Sequence, residues 1–274
     1  MSNALSRRSA LLLGGGVVLG TAGAVVSAGT ASAASNWVGL TVITANVGRG
    51  NLAAREPAIR AVRGYSTEHP NYRPLVGWQE INEGDTGEPA MIARHFAGAY
   101  TTTFLRHDRS YRVPISVPDP WRVVSSTTTR AHGGVADRKS PPRWLNEVVL
   151  RHANHPNLEF ALLNTHYIAN AYNGDRLDRL KPYWHLMKDL HRARVLHHHN
   201  QGRLVIWTAD TNKANYVRAT GRDAERRAFL AGVDRINWLP GNGTVRAELL
   251  ETWTIDMRVD GHDARAARFR LRVA

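Results

Sequence analysis

Leu204-Val205-Ile206-Trp207-Thr208-Ala209-Asp210-Thr211-Asn212 is the stretch whose reading decides the fold. An uncharged run rich in β-branched and aromatic residues reads as a buried strand, and the chain turns polar where that strand ends. Four other stretches have the same form. Gly39-Leu-Thr-Val-Ile-Thr-Ala runs into Asn46, and Pro74-Leu-Val-Gly-Trp runs into Gln79-Glu80. Phe160-Ala-Leu-Leu-Asn-Thr runs into His166, and Thr252-Trp-Thr-Ile into Asp256, with His262 close behind. A sheet fixes the backbone and the following loop frees the side chain, so functional groups gather at strand ends. One polar strand end carries little information. Five with these identities imply a common site.

Between the strands lie helical segments, and the alternation predicts a mixed α/β protein. One helix is expected over Ala53 to Tyr65, with Pro57 confining its regular part to starting near there. A second is expected over Gly87 to Phe96, with Pro89 in its first turn. The clearest spans Arg176 to Leu196, where Leu177, Leu180, Trp184, Met187 and Leu190 form one apolar stripe. Short strands are expected at Arg112-Val-Pro-Ile-Ser-Val, Trp121-Arg-Val-Val and Leu145 to Arg151. Ser125 to Pro142 reads as a long exposed loop carrying Arg130, His132, Arg138, Lys139 and Arg143, either gripping a ligand or merely solvated. Ala264 to Val273 reads as a closing strand.

The chain begins with an address. Ser6-Arg7-Arg8-Ser9-Ala10-Leu11 opens a stretch rich in Gly, Ala and Val that closes on Ala31-Ser32-Ala33. A charged start, an apolar middle and an A-x-A end predict a cleavable signal over residues 1–33, leaving a single domain over 34–274. The paired arginines predict secretion by the twin-arginine route; the alternative is an uncleaved anchor. The chain has no cysteine, so stability must come from a conventional core. Net charge is +13, and Arg7 and Arg8 are the leader's only charged side chains. Such a basic chain attracts polyanions, nucleic acid or an anionic lipid surface, although a compositional preference for Arg would give the same charge.

The strand-end residues suit metal-assisted phosphodiester hydrolysis, which needs a hard cation, an oriented water and groups that manage charge on the phosphate. Glu80 is the natural first ligand of Mg²⁺ (or Mn²⁺), with Asn46 beside it as a neutral oxygen donor; a solvated loop acid is the plainer reading. Asp210 and Asn212, two apart in an extended segment, share one face. They would activate water and contact phosphate, or simply cap a turn. His166 and His262 are the candidate imidazoles, and Asp256 is the carboxylate expected to orient His262. His197-His198-His199 cannot converge on one ion from a helix and belong at a helix C-terminus.

The ordered set Thr44-Ala45-Asn46-Val47, Trp78-Gln79-Glu80, Asn164-Thr165-His166, Asp210-Thr211-Asn212 and Ile255-Asp256 resembles the endonuclease/exonuclease/phosphatase superfamily. The resemblance spans nearly all of residues 34–274. It implies a four-layer α/β/β/α sandwich of two mostly antiparallel sheets, and a Mg²⁺- or Mn²⁺-dependent phosphoesterase. It also implies Asn46 and Glu80 as metal ligands, Asp210 as the water-activating residue, Asn212 and His166 near the phosphate, and Asp256 behind His262. One departure stands out. The family usually ends in adjacent Ser-Asp-His, whereas this chain has Asp260-Gly261-His262-Asp263, so either Asp260 or Asp263 replaces the missing metal-assisting neighbour or the site is altered. The leading expectation is a secreted, monomeric nuclease with nucleic acid as substrate. A sphingomyelinase-like or small-phosphoester hydrolase is the alternative, and an inactive polyanion-binding homologue is a second.

Overall fold

The structure, a computed structural model, describes residues 37–273 apart from 49–54, 69–72, 82–86, 99, 101, 106–111, 137–139, 244 and 260. The leader over 1–33, Arg138, Lys139 and Asp260 lie outside the described residues.

Among the described residues the chain forms two six-stranded sheets. The first contains β1 (Val38–Asn46), β2 (Leu75–Gln79), β3 (Thr102–Leu105), β4 (Ile115–Val117), β11 (Val245–Val259) and β12 (His262–Val273), in the order β11-β12-β1-β2-β4-β3. The second contains β5 (Trp121–His132), β6 (Arg143–His152), β7 (His155–His166), β8 (Leu204–Asp210), β9 (Arg226–Arg227) and β10 (Asp234–Leu239), in the order β5-β6-β7-β8-β10-β9. Only the β1–β2 and β7–β8 pairs are parallel.

Among the described residues three α-helices cover the outer faces: α1 (Arg55–Glu68) and α2 (Glu88–Phe96) on the first sheet, and α3 (Lys181–Asn200) on the second. Strand alternation sorts the apolar side chains into layers. Leu40, Val42, Phe269 and Leu271 meet Leu150, Phe160, Leu162, Ile206 and Trp238 between the sheets. Ile43, Val76 and Trp78, on the opposite face, pack under Ala58, Ile59, Val62, Ile92 and Phe96 of the helices. Val205 and Trp207 pack under Val195 of α3. This is the four-layer sandwich expected.

Two local readings are corrected. Ser125 to His132, the first part of the stretch expected as a loop, is strand, because β5 runs on to His132 and its backbone pairs with β6 from Trp121↔His152 to His132↔Arg143. As an edge strand with one solvated face it needs no apolar alternation, and its Ser and Thr residues read as loop. In α3 the buried stripe is Trp184, Met187, His191, Val195 and His198, so two histidines hold core positions while Leu190 is only partly buried. Pro182 in the first turn and Leu180 in the preceding 3-10 turn, Asp178–Leu180, start the helix later than the sequence suggested.

Candidate active site

The inner faces of the central strands change character along their length. On β1, Leu40 and Val42 give way to Thr44 and then Asn46; on β7, Phe160 and Leu162 give way to Asn164 and His166. On β8, Leu204 and Ile206 give way to Thr208 and Asp210. The register places Asn46 beside Gln79, His166 beside Asp210, and Asp210 beside Asp234. β10 runs antiparallel to β8, so its polar residue stands at its start: Asp234, then Ile236 and Trp238. Four inner faces therefore turn polar at the same end of the sandwich.

The first polar layer ties the sheets together. Gln79 Nε2 donates to Asn164 Oδ1 at 2.7 Å, Thr208 Oγ1 donates to the same oxygen at 2.9 Å, and Asn164 Nδ2 donates to the Trp78 carbonyl at 2.8 Å. Gly77 makes this approach feasible: a Cβ there would lie 2.1 Å from Thr208 Oγ1. All these groups are buried, and mutual hydrogen bonding removes the desolvation penalty of burying them.

The second layer is the candidate site, and Asp210 is its hub. Its Oδ1 accepts the Asn212 backbone N–H at 2.8 Å, and its Oδ2 accepts Asn46 Nδ2 at 2.9 Å and Asn212 Nδ2 at 3.2 Å. His166 Nε2 lies 3.3 Å from Oδ2, while its Nδ1 faces Arg143 Nη1 at 3.4 Å. Nε2 also stands 3.1 Å from Asn212 Nδ2, so this ring nitrogen lies between the Asp210 carboxylate and the Asn212 amide. Burial alone would raise the Asp210 carboxyl. The hydrogen bond and charge of His166, with His262 and the Asn212 amide, hold it below its ordinary range instead, at about 2.

Glu80 takes a left-handed backbone, φ 60°, immediately after β2, and its Oε1 stands 3.7 Å from the same His166 nitrogen. Asn212 is also left-handed, φ 49°. Non-glycine residues held there carry strain of a kind that clusters at functional sites. Asn46 Oδ1 accepts the Gly48 N–H at 3.1 Å, which fixes the amide so that its nitrogen faces Asp210.

Across the cleft His262 Nδ1 donates to Asp234 Oδ2 at 3.0 Å. The other carboxylate oxygen of Asp234 is buried with no hydrogen-bond partner. Burial raises the Asp234 carboxyl, and the Asp210 charge pushes the same way. Burial would lower His262, but the hydrogen bond and charge of Asp234, with Asp210 and Glu80 beyond, raise it to about 9. Ligand atoms of Asp210, Asp234 and His262 all lie within 4.8 Å of one another.

The sequence-predicted residues divide accordingly. Asn46, Glu80, His166, Asp210 and Asn212 converge, and His262 faces them through Asp234. Asp256 does not orient His262. It is exposed beside the β11 irregularity between Ile255 and Val259, and its Oδ1 accepts the Arg258 N–H at 2.7 Å. That local turn was the plain alternative for an Asp at a strand end. Asp263 is exposed as well, because it follows His262 along β12 and successive strand residues project to opposite faces. Asn212 also differs from expectation: its Nδ2 donates to the Tyr167 carbonyl at 3.0 Å and its Oδ1 accepts from Asn173 at 2.6 Å, so in this arrangement it positions its neighbours. Asp234 was missed. Its signal was a reversed pattern, polar first and apolar afterwards, in Asp234-Arg-Ile-Asn-Trp-Leu.

The donor set fits a hard divalent cation, since carboxylate and amide oxygens dominate and one buried carboxylate oxygen lacks a partner. Glu80 and Asn46 on one side, with Asp210 and Asp234 on the other, are the groups able to hold it.

No protein-family model and no curated protein sequence matches the chain. Solved structures do. An endonuclease/exonuclease/phosphatase protein from Bacteroides vulgatus is 12% identical with TM-score 0.60, covering 86% of this chain and 99% of its own. D. rerio TDP2 complexed with single-strand DNA product is 14% identical with TM-score 0.59, covering 86% and 99%. A mannosyl-6-phosphatase from Bacteroides thetaiotaomicron is 12% identical with TM-score 0.55, covering 86% and 99%. At these identities the likeness is one of fold. The described residues share the α/β/β/α sandwich fold of these endonuclease/exonuclease/phosphatase structures.

Proposed function

We propose that this protein is a secreted, monomeric, divalent-metal-dependent phosphodiesterase that hydrolyses nucleic acid. The observation that carries the reading is the meeting of Asp210, Asp234 and His262 opposite Glu80, Asn46 and His166 at one end of the sandwich. Such a set can hold a phosphate between an acceptor for water and a donor for the leaving oxygen. Asp210, kept ionised by its donors, orients a water by accepting its hydrogen bond; so weak a base is better suited to orientation than to removing a proton outright. His262, held cationic by Asp234, donates to a phosphate oxygen or protonates the leaving alkoxide. His166 fixes the direction of Asp210, and Asn212 and Asn46 keep that carboxylate from turning. A bound divalent cation would supply Lewis-acid stabilisation of phosphate charge.

Nucleic acid is favoured by the net charge of +13 and by TDP2, a structural neighbour seen with single-strand DNA product. A lipid substrate would need an exposed aromatic edge for membrane docking, for which Trp121 and Trp144 are the candidates. Trp121 is instead core, packed against Phe160 at 5.1 Å, and Trp144 is half-buried. Purified protein incubated with supercoiled plasmid and Mg²⁺ tests the reading, with EDTA and Glu80→Ala as controls. Nicking that requires both metal and Glu80 is expected. Failure on plasmid and also on bis-p-nitrophenyl phosphate would overturn it.

A further inference from the structure

A cavity of about 430 Å³ opens beside the site, bounded by Tyr172, Arg176, Lys181, Lys213 and Asn215. Its walls are continuous with the reaction centre. Lys213 follows Asn212 in the chain, and Asn173, next to Tyr172, donates to Asn212 Oδ1. The Lys213 ammonium sits 3.7 Å from the Tyr172 ring centroid and 4.9 Å from that of Trp184. Tyr172 is itself fixed, by its hydroxyl against His185 Nε2 at 2.8 Å and by its edge-on packing with Trp184. Two aromatic faces thus hold the ammonium in place.

No described carboxylate pairs with Lys213 or with Arg176, and the Lys181 ammonium pairs only with the exposed Asp178. Burial lowers the Lys213 pKa, and the charges of Lys188 and Lys181 lower it further. Like charges gathered around one cavity destabilise the free protein, and an anion in the cavity would reverse that cost. Arg176 adds a left-handed backbone, φ 51°, that presents a guanidinium at the rim.

We infer that this cavity is a subsite for the phosphate adjacent to the scissile one along a single nucleic-acid strand. The inference rests on the phosphodiesterase reading above and deepens it. The cavity exceeds the size of one phosphate, and cations spaced around it match a repeating backbone better than a lone monoester or a zwitterionic headgroup.

The test is fluorescence anisotropy with a labelled single-stranded hexanucleotide in EDTA, read across a series of KCl concentrations. Wild type, Lys213→Gln and Arg176→Gln are compared, each with its melting temperature. Each variant is expected to weaken binding about tenfold, the size of one charged hydrogen bond. The slope of log affinity against log salt should fall by about 0.7 for each phosphate-binding cation removed. A merely structural role would leave that slope alone. Unchanged slopes in both variants, or no salt-dependent binding by wild type, would overturn the subsite. Should Lys213→Gln not fold, Arg176→Gln on the exposed rim decides. Wild-type hydrolysis of bis-p-nitrophenyl phosphate separates the two ideas. Turnover with unchanged slopes refutes the subsite alone, and reduced slopes without turnover refute the catalytic reading and with it the scissile-phosphate register, leaving a strand-binding cavity.

Discussion

Replacing His191 with phenylalanine should change how stability depends on pH, and the size of the change follows from the site's floor. His191 lies fully buried on α3, edge-on to Trp207 at 4.7 Å, with Nδ1 hydrogen-bonded to the Tyr167 hydroxyl at 3.0 Å and Nε2 buried without a partner. The groups around it are the Tyr167 and Tyr216 hydroxyls, with Glu225 on the Trp207 ring nitrogen, and Asp189 farther along the helix. Burial depresses its pKa from 6.5 to about 3. The unfolded chain therefore binds a proton below about pH 6.5 that the folded protein refuses, and stability present above that pH is lost as pH falls. Between about pH 8 and pH 5 the loss through this one group is about 2 kcal/mol, wherever below pH 5 the native pKa lies. Urea unfolding of wild type and His191→Phe across this range isolates it, because all other titrating groups cancel in the difference. Tyr167 keeps Tyr216 as a hydrogen-bond partner in the variant. The stability of wild type minus that of the variant should fall by about 2 kcal/mol toward pH 5. A difference that stays flat would mean that the native interior protonates His191 readily, and would refute the reading of a neutral imidazole buried beside Tyr167 and Trp207.

Asp234→Asn should keep the fold and cut phosphodiester turnover by roughly 10² to 10⁴, because His262 loses the charge that keeps it a donor; steady-state kinetics beside a melting curve will read both. Gly77→Ala should destabilise by about 1–3 kcal/mol in urea, since its methyl group would overlap Thr208 and Asn164 and neither can withdraw without breaking the amide layer. Asp256→Ala should leave turnover unchanged, and a large loss would return Asp256 to the mechanism.

The site was legible where chain direction and strand pattern coincided. β1, β2, β7 and β8 all run toward the cleft, so each apolar run ends on its functional residue, and Asn46, Glu80, His166 and Asp210 could be read in order. β10 runs the other way, so the same physical layering appears as a polar start, and Asp234 escaped a search for polar ends. Reading inner-face positions alone would have found it: Asp234, Ile236 and Trp238 stand opposite Asp210, Thr208 and Ile206 across the antiparallel register. Asp256 shows the converse error. It ends an apolar run on an outer strand where the register slips, and there the pattern carries no information about which face reaches the cleft. The departure from the adjacent Asp-His of the superfamily that the sequence resembles now has a narrower meaning. His262 gets its carboxylate from the neighbouring sheet through Asp234, so Gly261 before it costs the imidazole nothing. Asp263 after it faces away, so it does not replace the missing neighbour. Asp234 is also among the groups able to hold a cation, so Asp234→Asn, like Glu80→Asp, should raise the Mg²⁺ concentration needed for turnover; a Mg²⁺ titration that neither variant shifts would remove both carboxylates from the metal site.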